Sequence, residues 1–133
     1  MADENSLSLP EIEPTTRVLA MPTDTNAAGD IFGGWIMSQV DIAGSIAAHR
    51  HAGGRAVTVA VNAMQFKKPV YVADLVSFYA EVQKVGNTSM TVFVEVFAER
   101  NRQQHEVVKV TEATLTFVAI DDDGRPRAVK APA

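Results

Sequence analysis

One acidic side chain interrupts an otherwise apolar stretch: Asp41, within IFGGWIMSQVDIAGSIAAH. The apolar residues around it recur at helical spacing. Phe32, Ile36, Val40, Ala43 and Ala47 form one stripe that Trp35 and Ile46 widen, which predicts a helix from Ile31 to about His49. On that helix Asp41 falls at the border of the stripe, beside Gly34, Met37, Gly44, Ser45 and Ala48. A carboxylate among apolar neighbours needs a partner, a wet cleft or a chemical task, because burying it unpaired is strongly unfavourable. The plainer reading is an aspartate at the solvent edge or hydrogen-bonded across a dimer interface. The small neighbours leave room for a ligand.

Gly33 and Gly34, with Asp30, open the same helix. Unpaired N–H groups at a helix start accept a carbonyl oxygen or an anion, and glycine lets a ligand approach the backbone closely. The alternative is simple helix entry, capped by Asp30 or Asn26. Gly34 and Asp41 are two turns apart and share a side of the helix, so an oxyanion donor and a carboxylate are expected to face one cleft. Asn26, in the loop before, either holds a water or carbonyl there or only shapes its own turn. Lys67 and Lys68, with Arg55 at the other end of the same strand, either neutralise phosphates or are solvated. His49, His51 and His105 show no zinc or Ser-His spacing and are expected at the surface. No phosphate-loop or dinucleotide glycine pattern is present.

The elements that must position these residues follow from hydropathy. Arg17–Met21 is a short strand halted by Pro22. After Arg55 the period becomes two: Val57, Val59 and Val61 alternate with Thr58, Ala60 and Asn62, then Met64 and Phe66 shift parity, which predicts a bulge or a strand covered on both faces. Leu75–Val85 and the run through Met90, Val92, Val94 and Val96 form a hairpin about Gly86-Asn87. A polar turn over Arg100–Gln104 leads to a last strand, His105–Ile120, closed by Asp121–Gly124. Residues 1–14 are expected as a flexible lead-in, 15–121 as one domain and 122–133 as a loose tail. The fold class is α+β, a curved antiparallel sheet wrapped around one long helix. Its open, Val-rich edges call for dimerisation that continues the sheet or packs the helices together.

Composition narrows the function. With 133 residues there is room for one domain. The absence of cysteine removes disulfides, thiol nucleophiles and Cys-based metal sites. A formal charge of −4 without a basic block argues against general nucleic-acid binding. The acidic start lacks a signal-peptide core and no run is long enough to span a membrane, so a cytoplasmic protein with no membrane partner is expected.

The string from Leu19 to Gly44, LAMPTDTNAAGDIFGGWIMSQVDIAG, with VTVAVNAMQFKKPV and the turn KVGNTSM, resembles the hotdog-fold acyl-CoA thioesterases, specifically the bacterial YciA-type group of the cytosolic acyl-CoA thioester hydrolases. The match runs over roughly residues 15 to 120 in the family's order. The resemblance implies hydrolysis of acyl-CoA to free acid and CoA, without metal or cofactor. It implies a homodimer with two sites at its interface, assembled into a homohexamer as a trimer of dimers. It makes Asp41 the acidic residue, acting as general base on a water or attacking directly to form a mixed anhydride, Asn26 the loop asparagine, and Gly33 and Gly34 the pair whose amide binds the thioester oxygen. Thr58, Lys67, Lys68, Thr88 and Ser89 fall in segments that line the CoA path in similar proteins, and with the basic Arg55 they are the expected CoA-binding residues. Two rival readings remain: a non-catalytic acyl-CoA binding or sensing module, and an acyl-thioester hydratase or dehydratase. The second generally needs a histidine beside the acid, and none lies between Arg17 and Ala48.

Overall fold

The computed structural model describes residues 7–101 and 105–129. Five strands and one long helix follow one another as β1 (Thr16–Leu19), α1 (Gly33–Ala52), β2 (Ala56–Phe66), β3 (Leu75–Val85), β4 (Ser89–Asn101) and β5 (His105–Ala119). The strands form one antiparallel sheet in the order β1-β3-β4-β5-β2. The sheet wraps α1, which packs against β2, β3, β4 and β5, so the expected α+β architecture is present. Val92, Val94 and Val96 of β4, Val110, Leu115 and Phe117 of β5 and Phe78 of β3 meet Ile36, Val40, Ala43 and Ala48 of the helix in one buried core.

The helix starts two residues later than its periodicity predicts. The Ile31 N–H donates to the Val70 carbonyl at 3.0 Å and the Phe32 N–H to the Asp24 carbonyl at 2.9 Å, so both amides are engaged outside the helix. Neither Asp30 nor Asn26 caps it: Phe32 is the N-cap and no side chain bonds the first turn. The helix also runs past His49 to Ala52 and ends on Gly53, whose φ of 68° is the left-handed geometry that closes a helix and suits glycine. Gly44 permits the close approach of helix to sheet, because a Cβ there would lie 3.0 Å from the Phe117 ring.

The parity shift in β2 corresponds to two bulges, which skip Val59 and Asn62 in the pairing with β5. Val57, Val59 and Val61 alternate as a buried face would, yet in the single chain they are 40%, 55% and 48% exposed, because β2 is an edge strand. The β3–β4 hairpin turns at Asn87-Thr88, one residue later than expected, closed by the Gly86 N–H donating to the Ser89 carbonyl at 2.8 Å. Of the polar turn between β4 and β5, residues 102–104 lie outside the described residues, as do residues 1–6 and 130–133 of the two ends. The stretch after Arg125 is not loose through Val129. The Arg127 side chain donates to the Ala52 carbonyl at 2.9 Å, and the Val129 N–H donates to the Asn87 carbonyl at 2.9 Å. No helix among the described residues is long and apolar enough to cross a membrane.

Candidate active site

Asp41 sits mid-helix, half-buried, at the seam between α1 and β2. Its Oδ1 accepts a hydrogen bond from the Thr58 hydroxyl of β2 at 2.5 Å. Thr58, expected along the CoA path, is thereby the side chain that orients the acid. The first turn of α1 adjoins the opposite end of β2, where the Phe66 ring lies 3.7 Å from the position a Gly33 Cβ would take. α1 and β2 thus run antiparallel, with Asp41–Thr58 marking one end of β2 and Gly33–Phe66 the other. Gly33 and Gly34 are exposed, and among the described residues their N–H groups are not engaged by another backbone carbonyl. These two amides therefore remain open for an acceptor, whereas those of Trp35 and Ile36 donate to the Phe32 carbonyl.

The shared cleft expected of Gly34 and Asp41 does not close within one chain. Seven residues of helix separate them by about 10.5 Å along the axis, and first-turn N–H groups point away from the helix body. An oxygen held about 2.9 Å beyond the Gly34 nitrogen lies out of reach of the same chain's Asp41, even through one water. Asn26 shapes its own loop: its Oδ1 accepts the N–H groups of Ala28 at 2.9 Å and Asp30 at 3.1 Å. This is the turn-forming alternative, and it leaves the Nδ2 donor free of any hydrogen bond among the described residues.

The basic candidates divide between the two ends of β2. Arg55 is exposed at its start, at the same end of the sheet as Thr88 and Ser89, since Ser89 pairs with Val118 and the Ile120 N–H bonds the Arg55 carbonyl. Lys67 and Lys68 follow its end. Lys67 is engaged at 3.1 Å by Glu112, which Lys109 also holds at 3.0 Å. The hydrogen bonds from Lys109 and Lys67 keep the Glu112 carboxyl below the usual glutamate range. Burial alone would lower the Lys109 ammonium, but its hydrogen bonds to Glu95 and Glu112 outweigh this and raise it. His49 and His105 are exposed as expected, whereas His51 is half-buried with its Nε2 unpartnered. Among the described residues no three His, Asp or Glu side chains gather as a metal site would require.

Two features escaped the sequence. The Phe66 ring against Gly33 crosses from strand to helix, so no local pattern announces it. The buried Asp74, paired with Arg100, is separated from its partner by a whole hairpin.

Residues 28–104 match the thioesterase superfamily. The chain is 49% identical over 120 residues to the acyl-CoA thioester hydrolase YciA of Salmonella typhimurium, which spans 89% of this chain and 90% of the relative. A hexameric hotdog fold thioesterase of Campylobacter jejuni superposes with a TM-score of 0.85 at 45% identity, over 89% of this chain and 90% of the other. A structure described as a hexameric broad specificity acyl-coenzyme A thioesterase superposes with a TM-score of 0.86 at 46% identity, over 98% of this chain and 89% of the other. The chain belongs to the thioesterase superfamily, among its YciA-like acyl-CoA thioester hydrolases of hotdog fold.

Proposed function

We propose that this protein hydrolyses acyl-CoA thioesters to free acid and CoA in the cytoplasm, at sites built between two protomers of a homohexamer arranged as a trimer of dimers. The observation that carries the reading is the placement of Asp41–Thr58 at one end of the edge strand β2 and of Gly33–Phe66 at its other end. Two copies joined antiparallel along β2 by a twofold axis set the end of one strand beside the start of the other. The first-turn amides of the partner then come beside Asp41, which supplies the geometry that one chain lacks. The same operation gathers Arg55, Thr88 and Ser89 of one protomer near Lys67 and Lys68 of the partner subunit. The divided basic set becomes one patch per site, suited to the phosphates of CoA.

The thioester carbonyl docks on the amides of Gly33 and Gly34 of the partner subunit. Oxyanion donors of this kind are typically worth about 10²- to 10³-fold in rate. Asp41, oriented by Thr58, takes a proton from a water that attacks the carbonyl carbon, and the tetrahedral intermediate expels the CoA thiolate. The free Nδ2 of Asn26 supplies a donor to the water or the carbonyl. This chemistry calls on neither a metal nor an organic cofactor.

A non-catalytic binding module would keep the basic patch but have no use for a carboxylate oriented at the seam. The test is Asp41→Asn, with folding and hexamer size confirmed by circular dichroism and light scattering, assayed for CoA release. Loss of turnover with retained CoA binding is expected; near-normal turnover rejects the reading.

A further inference from the structure

Asp74 is the only buried carboxylate among the described residues, 2% exposed, and the proposed chemistry does not use it. Its two oxygens accept from the Arg100 Nε at 3.2 and 3.1 Å, and its Oδ2 also accepts the Tyr71 N–H at 2.9 Å. The Arg100 Nη2 donates to the Pro69 carbonyl at 2.7 Å, and the guanidinium stacks 4.5 Å over the Tyr71 ring. All of these groups except Arg100 belong to the link between β2 and β3. That link also holds a residue in strained geometry: Ala73 has a φ of 72° inside a turn closed by the Asp74 N–H on the Tyr71 carbonyl at 3.1 Å. Strain of this kind persists only where the surroundings over-determine it.

From this link two hydrogen-bond routes run to the candidate site. The Val70 carbonyl, next to the Pro69 carbonyl that Arg100 grips, accepts the Ile31 N–H at 3.0 Å, two residues before Gly33. The Asp74 carbonyl accepts the Ala20 N–H at 3.0 Å, and the Ala73 N–H returns to the Ala20 carbonyl at 2.9 Å, at the head of the segment that leads to Asn26. We propose that Asp74 and Arg100 are positioning residues for acyl-CoA hydrolysis: they fix the link that places the Gly33 and Gly34 amides and the Asn26 loop. This inference rests on the reading of those amides as the oxyanion site.

A buried ion pair is poor evidence of a purely stabilising role, since well-packed apolar residues often serve as well. What the guanidinium supplies is a planar fork that can hold Asp74 and the Pro69 carbonyl together, and a lysine cannot reproduce it. Oxyanion donors tolerate little displacement, and a misplacement near 1 Å can cost about 10²-fold in rate.

The experiment compares Arg100→Lys and Asp74→Asn with Val92→Ala, a core truncation in β4 that lowers the melting temperature without touching the link. All are assayed as full-length oligomers well below their melting temperatures. In parallel, the amide spectra of 15N-glycine-labelled samples are recorded. In both link variants kcat falls by about tenfold or more, beyond the loss in Val92→Ala. The Gly33 and Gly34 resonances shift or broaden while those of Gly53 and Gly124 stay. A kcat within twofold of the parent, or no lower than that of Val92→Ala, overturns the inference, as do unmoved Gly33 and Gly34 resonances. If the parent protein hydrolyses no acyl-CoA, the functional reading falls and the resonances alone decide the positioning.

Discussion

Replacing Thr58 by valine removes one hydroxyl and almost no volume, which makes it the sharpest probe of how the acid is held. The hydroxyl donates to Asp41 Oδ1 at 2.5 Å. A hydrogen bond to a charged group is worth about 1.5–3 kcal/mol. In the resting protein the effect on stability should be small, under about 0.5 kcal/mol, because Thr58 is exposed, Asp41 is half-buried and water can replace the lost donor. In the transition state the orientation of the carboxylate matters, and about 1.4 kcal/mol corresponds to tenfold in rate. Thr58→Val is therefore expected to lower kcat by about 10- to 100-fold with KM nearly unchanged. Thr58→Ser, which keeps the hydroxyl, should recover most of the loss. Initial rates of CoA release, read with a thiol-reactive chromophore across acyl-CoA concentrations, separate the two constants. A raised KM at unchanged kcat refutes this reasoning, because Thr58 would then be touching substrate rather than orienting Asp41. Unchanged values of both refute it as well.

Three further outcomes follow from packing and charge. Gly44→Ala gains helix propensity of about 1 kcal/mol but drives a methyl to 3.0 Å from Phe117, a fully buried ring. A net loss of about 1 kcal/mol, some 4 °C in thermal midpoint, is expected, and an unchanged or raised midpoint contradicts it. Ala73→Gly relieves the left-handed strain at φ 72° and should add about 0.5–1 kcal/mol in urea denaturation. Glu112, held below the usual glutamate range by Lys109 and Lys67, contributes stability that is present above the ordinary glutamate pKa and lost as pH falls through the folded value. Glu112→Gln should therefore flatten the stability profile below about pH 4.3, and an equally steep profile in the variant would show that other carboxylates govern it.

The parts of the fold that are local in sequence were legible there. β3 runs from Leu75 to Val85 as its alternation predicts, and the parity break in β2 announces its bulges. The parts that depend on distant partners were not. The helix start moved because Ile31 and Phe32 bond Val70 and Asp24, and the segment after Arg125 is held by Ala52 and Asn87. At the candidate site the residue types and the side of the helix were readable for Gly34 and Asp41. Their pairing in one cleft was not, because a helical wheel reports direction around an axis and says nothing of the distance along it. The Asp74–Arg100 pair left no trace, since an aspartate before a strand and an arginine in the polar run that ends another look like solvated residues.

The exposed valines of β2 are the most informative. A period-two pattern states which side chains are to be covered, not what covers them. Val57, Val59 and Val61 meet that pattern yet stand open in the single chain, as do Phe66 at the end of the same strand and Phe32, Met37 and Ile42 along α1. Apolar exposure on this scale marks an interface. The seam it flanks is the one that carries Asp41 and Thr58, so in the proposed assembly the surface that binds a second copy and the surface that holds the substrate coincide. Val59→Lys places a charge at the most exposed of the three valines without disturbing the core packed behind the sheet. It is expected to yield folded protomers, measured by light scattering and circular dichroism, whose acyl-CoA hydrolysis is abolished, because each lacks the amides that the partner lends. A folded monomer that retains the parent's turnover per chain would show that one chain suffices, and the two-protomer site would have to be abandoned.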